Sequence, residues 1–378
     1  MIDKVVKNNC TGCYACENIC PKNCIDMKVD KEGFRYPNVD EEVCIKCEKC
    51  LNVCPILNQK TIVNNPKAYA SYNKDERIRR ESSSGGIFTL LSEKVIQNNG
   101  VVFGAKFDDN FDVVHGYTQD IKELKSFRGS KYVQSKIGQA YNQVKNFLKS
   151  DRLVLFSGTP CQIAGLKSFL GKDYSNLICI DIICHGVPSP LAWDKYKSEM
   201  SRGKNITSIN FRDKAYGWKN YSFRINFDDN TSFLEKGADN KYIRGFIGDI
   251  YLRPSCHNCK FKTLNRQSDI TLADFWGIEN IDSKMDDGRG TSLVMVNSKK
   301  GNHILKEIED FIVFKEVDLN NAIKYNMSAI KSSYCNPRRK YFFKKVNKFK
   351  FDKLVNESLK ESLSIRVKTK IYNLIKVK

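Results

Sequence analysis

From about residue 66 onward, apolar positions alternate between two spacings, one suited to strands and one to helices. Residues 68–72 read as a strand, whereas across residues 84–98 Ile87, Leu90, Leu91 and Val95 recur on one face and predict a helix. Residues 101–107 and 113–117 read as strands joined by the turn Asp108-Asp109-Asn110, and residues 137–148 as a helix. The short apolar runs 152–156 and 177–183 have the look of buried strands, with a helix between them over residues 161–170. That β–α–β order predicts a parallel pair under a crossover helix. Residues 206–234 alternate as antiparallel strands do, with turns at Asp213 and Asp228-Asp229-Asn230; residues 292–296 read as a strand and 302–310 as a helix. Residues 58–66, polar and closed by Pro66, have linker composition.

Ahead of that linker the ordering signal is cysteine. Cys10, Cys13, Cys16 and Cys20-Pro21 recur 34 residues later as Cys44, Cys47, Cys50 and Cys54-Pro55. Each copy has the C-x2-C-x2-C-x3-C-P spacing of bacterial 4Fe-4S ligation, in which the fourth cysteine serves the other cluster. The spacing therefore assigns Cys10, Cys13, Cys16 and Cys54 to one cube, and Cys44, Cys47, Cys50 and Cys20 to the other. A zinc module is the competing reading, but zinc needs four thiolates and leaves the third cysteine of each run unexplained.

The chain has 378 residues, 41% hydrophobic and 28% charged, enough for a sizeable core and two or three domains. Met1-Ile2-Asp3-Lys4 runs into the cysteine motif without an apolar segment, and no run approaches a membrane span. With fifteen cysteines, an odd number, the expectation is ligands and thiols in a reducing cytoplasm. The net charge of +20 is uneven: residues 1–60 balance nine basic against nine acidic side chains, while residues 338–378 set fourteen against three. The basic tail also carries Phe342, Phe343, Phe349, Phe351, Leu354 and Leu359, which predicts packing as well as solvation. An acidic partner or a peripheral membrane contact suits such a tail. No nucleic-acid motif accompanies it.

Four further cysteines sit in motif-like surroundings: Cys161 in Ser157-Gly158-Thr159-Pro160-Cys161-Gln162, Cys184 in Cys184-His185-Gly186, and the pair Cys256-His257-Asn258-Cys259. Four thiolates are what one more cube requires. Buried structural cysteine, half a zinc site at the pair, and a reactive Cys161 at a helix start remain open beside it. Cys24, Cys179 and Cys335 read as packing residues, and His185 and His257 as hydrogen-bonding neighbours. Ser82-Ser83-Ser84-Gly85-Gly86 opens a helix, as does Ser157-Gly158-Thr159-Pro160; such turns present unpaired amides to phosphate, although serine capping alone also explains the first. Arg128-Gly129-Ser130-Lys131-Tyr132 adds cations and an aromatic ring, and no G-x-G-x-x-G occurs. A flavin adenine dinucleotide suits so distributed a site. It would also join the cubes, which pass single electrons, to organic substrates that exchange hydride.

The cluster repeat, SSSGGIFTLL, RGSKYVQS, GTPCQIAGL, CHGVPSP, RPSCHNCKF and ADFWGI, in that order, resemble the family of coenzyme F420 hydrogenase/dehydrogenase beta subunits. The resemblance implies an α+β chain. It would comprise a two-cluster 4Fe-4S ferredoxin-like domain (residues 1–60) and a larger mixed α/β domain binding FAD (66–337); the basic helical tail (338–378) lies beyond the resemblance and is read from its charge and apolar residues alone. It makes Cys161, Cys184, Cys256 and Cys259 ligands of a third cube. Ser83, Ser84, Gly85, Gly86, Lys131, Tyr132, Thr159 and Gln162 become FAD contacts, with Asp274, Phe275 and Trp276 near by. The implied activity is an oxidoreductase passing electrons between a ferredoxin-type or F420-type carrier and an organic acceptor. Many bacterial members lie among surface-polysaccharide genes. A non-catalytic electron-transfer subunit and a ferredoxin-linked thiol–disulfide reductase are the alternatives.

Overall fold

The computed structural model describes residues 1–360; residues 361–378 of the expected basic helical tail lie outside them. The strands, in chain order, are β1 (Ile25–Val29), β2 (Arg35–Val39), β3 (Lys67–Asn73), β4 (Val101–Phe107), β5 (Val113–Thr118), β6 (Val154–Gly158) and β7 (Leu177–Ile182). They continue with β8 (Ile206–Asp213), β9 (Ser222–Phe227), β10 (Ser232–Lys236), β11 (Ile270–Asp274), β12 (Ser292–Val296) and β13 (Ile312–Val317). Eight of them form one sheet in the order β13-β3-β12-β11-β7-β6-β4-β5. Its middle four, β11, β7, β6 and β4, run parallel, and antiparallel strands flank them on both sides. The helix Pro160–Leu170 makes the expected crossover from β6 to β7. β8, β9 and β10 form a separate antiparallel sheet.

Several helices are shorter than their apolar periodicity suggests, for backbone reasons. Gly86 caps the helix Ile87–Gln97 with φ +82°, so residues 84–86 cannot join it. Gly138, at φ +53°, likewise delays the next helix to Ala140–Lys149. The helix expected over 302–310 runs instead from Lys299 to Lys306, capped by the Ser298 hydroxyl, with a 3-10 turn over Glu309–Phe311.

The N-terminal module stacks on the helix Pro160–Leu170. Cys10, Cys13, Cys16 and Cys54 share one buried apolar cluster with Tyr141, Phe156, Ile163 and Leu166. A second core gathers Trp193, Tyr196, Phe211, Tyr242 and Tyr251, and the basic segment joins it through Phe342, Phe351, Leu354 and Val355. Arg339 ties that segment to the N-terminal module by a two-pronged ion pair with Glu32. Among the described residues no helix is long and apolar enough to cross a membrane.

Candidate metal centres and cofactor cavity

The two cysteine runs repeat in backbone conformation as well as in spelling. Gly12 and Lys46, each just before the second cysteine of its run, have φ of +68° and +55°. Tyr14 and Glu48, each just after it, have φ of +66° and +57° and cap the short helices Ala15–Ile19 and Lys49–Asn52. For non-glycine residues the left-handed region costs roughly 1–3 kcal/mol, and such strain is kept where the chain must wrap something. In the first run these turns gather the cysteines. The thiols of Cys10, Cys13 and Cys54 lie near enough to Cys16 for their charges to act on it. Cys20 lies beside Cys44, both against Cys24, whose Sγ is 3.4 Å from that of Cys20. The first set is buried; in the second, Cys20, Cys44 and Cys50 are half-buried and Cys47 is exposed.

Cys161, Cys184, Cys256 and Cys259 come from four places: the first turn of the helix Pro160–Leu170, the loop two residues past β7, the 3-10 turn Pro254–Asn258 and the residue after it. All four line one cavity, with Lys262 and Arg266 beside them. Burial pushes the Cys161, Cys184 and Cys256 thiols up to about 12, and the charges of the other cysteines of the set add to it. The Val187 amide donates to Cys256 Sγ at 3.3 Å, and the Gly12 amide to Cys10 Sγ at 3.4 Å. No three His, Cys, Asp or Glu side chains among the described residues could hold a single metal ion. A cube makes a different demand, with sulfurs spread over its corners, and four cysteines ringing a cavity with cations near by fit that demand.

A larger cavity of ≈ 660 Å³ adjoins this one and shares Cys161 and Cys184 with it. It opens where the parallel strands end, at Ser157 and Gly158 of β6, Ile182 of β7 and Asp274 of β11, which is where open α/β sheets bind ligands. Ser83, Ser84, Gly86, Lys131, Tyr132, Thr159 and Gln162 all line it; Gly85 does not. The Gly85 amide is bonded to Ser292 Oγ, and a Cβ there would meet the Ser71 carbonyl at 2.5 Å, so this glycine serves close packing. The Ser83 hydroxyl accepts from the Ser130 amide at 2.8 Å, joining the two phosphate-type loops. Thr159 donates its amide to Gln162 Oε1 at 2.9 Å, which fixes the start of the helix. Asp274 and Trp276 also line the cavity, whereas Phe275 is wholly buried in the core.

Spacing gave no hint of other lining groups. Arg212, reaching from β8, makes a two-pronged ion pair with Asp274 at 2.6 and 3.2 Å. Its Nη1 also donates to Tyr132 Oη at 3.3 Å. His115 faces the Ser135 hydroxyl at 2.6 Å and the Ser157 carbonyl at 3.1 Å. Burial lowers it to about 4, so it is neutral, with Nε2–H donating to Ser157. Burial also lowers Lys131 to about 7, and its ammonium donates to the carbonyls of Arg128 and Gly129. A cavity of this volume, in which apolar walls alternate with hydroxyls, amides and cations, has the make-up of a cofactor site.

Residues 151–321 match the family described as the C terminus of the coenzyme F420 hydrogenase/dehydrogenase beta subunit, and residues 9–57 match the 4Fe-4S dicluster domain. The F subunit of F420H2 dehydrogenase from Methanosarcina mazei is 26% identical over 283 residues, covering 68% of this chain and 73% of that protein. A ferredoxin-like protein in the nif region of Sinorhizobium fredii is 36% identical over 62 residues, 15% of this chain and 89% of that one. A chain of the F420-reducing NiFe hydrogenase complex from Methanosarcina barkeri superposes with a TM-score of 0.47 at 16% identity, over 73% of this chain and 97% of that one. The chain carries a domain of the coenzyme F420 hydrogenase/dehydrogenase beta-subunit family over residues 151–321, with a 4Fe-4S dicluster domain at its N-terminus.

Proposed function

We propose that this protein is an iron–sulfur flavoenzyme that passes electrons between a carrier, ferredoxin-like or F420-like, and an organic acceptor. The observation that carries the reading is the convergence of Cys161, Cys184, Cys256 and Cys259 on one cavity, shared on one side with the ≈ 660 Å³ cavity. On the other side Gly165 and Cys13 are in contact. In this reading residues 1–60 hold two cubes, residues 66–337 hold a third cube and FAD, and residues 338–378 form the basic tail. FAD would supply exchange between single electrons and hydride.

The chain's own residues give the path a direction in space. The outer set (Cys20, Cys44, Cys47, Cys50) is the most exposed and lies beside exposed Val43 and Ile45, as a docking face for a carrier protein requires. The buried Cys10 set comes next, then the Cys161 set, then the cavity. Ser83, Ser84, Gly86, Thr159 and Gln162 would hold the phosphates, and Lys131 supplies a cation or a proton close to neutral pH. Tyr132, stacked on Phe246 at 4.7 Å and bonded to Arg212, walls the cavity and excludes water.

The thiol–disulfide alternative is the weaker one, because thiols held at about 12 are protonated and unreactive at neutral pH. The electron-transfer alternative, in which this chain only wires another enzyme to a carrier, draws on the Methanosarcina mazei relative, itself named as part of a dehydrogenase. Mixing the reconstituted protein anaerobically with reduced ferredoxin, or with reduced F420, and following flavin absorbance tests the proposal. Bleaching by one carrier supports it; an unreduced flavin with both refutes it.

A further inference from the structure

Arg253 directly precedes the 3-10 turn that carries Cys256, and its side chain is completely buried. The side chain reaches away from that turn into the N-terminal module. Nε donates to the Cys10 carbonyl at 2.7 Å and Nη2 to the Arg35 carbonyl at 3.0 Å. The guanidinium also lies 4.1 Å from the centroid of the Tyr36 ring. Nη1 is buried without a hydrogen-bond partner among the described residues. It faces Gly12, where an ideal Cβ would stand 3.1 Å from it and 2.5 Å from Gln134 Nε2.

What sets Arg253 apart is its missing counter-charge. The other buried arginines each meet a carboxylate: Arg79 with Asp287, Arg212 with Asp274, Arg266 with Asp181 and Arg339 with Glu32. Arg253 has no such pair among the described residues. A guanidinium does not shed its proton, and burying one unpaired costs several kcal/mol. An anion must therefore come from elsewhere. The groups on either side are the Cys10–Cys13 loop and the Cys256 turn, and the charge of Arg253 is felt at Cys161 and Cys256 as well as at Tyr14.

We propose that Arg253 is the shared counter-charge of two adjacent iron–sulfur centres, the one on Cys10, Cys13, Cys16 and Cys54 and the one on Cys161, Cys184, Cys256 and Cys259. Its role is to raise the reduction potentials of both. The inference rests on the third centre proposed above. A cube bound by four thiolates is an anion, and one-electron reduction adds one more negative charge. A fixed cation between two such cubes favours the reduced form of each. Arg253 touches no substrate; it acts on the electron path.

The test uses the full chain, reconstituted anaerobically and titrated with dithionite while the centres are followed by electron paramagnetic resonance. Arg253→Met should shift both neighbouring centres toward the oxidised form by roughly tenfold or more, about 59 mV for a one-electron couple. The outer centre should stay where it is. Arg253→Lys keeps the charge and should recover most of the shift, which a purely structural role would not allow. Gln134→Glu, isosteric and, like Nη1, packed against Gly12, should lower the same two potentials by offering the guanidinium a carboxylate, and it decides the matter if the Met variant does not fold. About twelve irons in the wild type with the two potentials unmoved in the variants, all three moved alike, or Lys as low as Met would overturn the counter-charge. About eight irons in the wild type would overturn the third centre instead, and the shared role with it.

Discussion

Gly165 lies inside the helix Pro160–Leu170, one turn beyond Cys161, at the place where Cys13 of the N-terminal module presses on the large domain. A Cβ added there would stand 2.9 Å from Cys13 Cβ and 3.0 Å from both Cys13 Sγ and Tyr141 Oη. Carbon contacts relax at about 3.5–4.0 Å, so Gly165→Ala must push the two parts away from each other by roughly half an ångström or more. Overpacking of this kind costs about 1–3 kcal/mol. At an unobstructed helical site the same change stabilises by about 1 kcal/mol. The balance is a net loss of about 1 kcal/mol, opposite in sign to the local expectation. Urea unfolding of the anaerobic holoprotein measures it, and the resonance of the Cys10-side centre should change while that of the outer centre does not. A Gly165→Ala variant that is more stable than wild type would show that Cys13 does not pack on this helix and would refute the reasoning.

Other consequences can be checked separately. Cys54→Ser should empty the Cys10-side centre and Cys20→Ser the Cys44-side centre, each leaving about eight irons by chemical analysis and distinct resonance spectra; the reverse pattern contradicts the crossed assignment. Lys131, lowered by burial to about 7, is charged only below that pH. An anionic cofactor favours the charged form, so FAD binding should be level below pH 7 and weaken by up to about tenfold per unit above it. Flavin-fluorescence titration measures this, and Lys131→Met should flatten the profile. Asp274→Ala would strand the buried Arg212 guanidinium and cost about 3–5 kcal/mol, read as a lower unfolding midpoint.

The sequence disclosed this molecule unevenly, and the reasons are physical. β4, β6, β7 and β12 are short runs of buried apolar residues between turn signals, so their positions were legible. β13 was not, because only Ile312 of its six residues is buried at the sheet edge. β11 is equally hard to read from sequence, since Ile-Thr-Leu-Ala-Asp places a polar residue between apolar ones and ends in the cavity. Cysteine spacing marks a ligand run because successive ligands are local. The same logic cannot find Arg212, His115 or Arg253, whose partners lie tens to hundreds of residues away. By spacing Cys24 reads as packing, and only the fold puts its sulfur beside Cys20. An arginine near a C-x2-C pair stands in the sequence at Arg253-Pro254-Ser255-Cys256, but its burial and its missing carboxylate are properties of the fold.

The most direct test of the account is the cofactor content of the full chain after anaerobic reconstitution. Three cubes and one flavin require about twelve irons and roughly one FAD per chain. About eight irons with no flavin would leave an electron carrier on a family fold, and would contradict the claim that this chain delivers electrons to an organic acceptor.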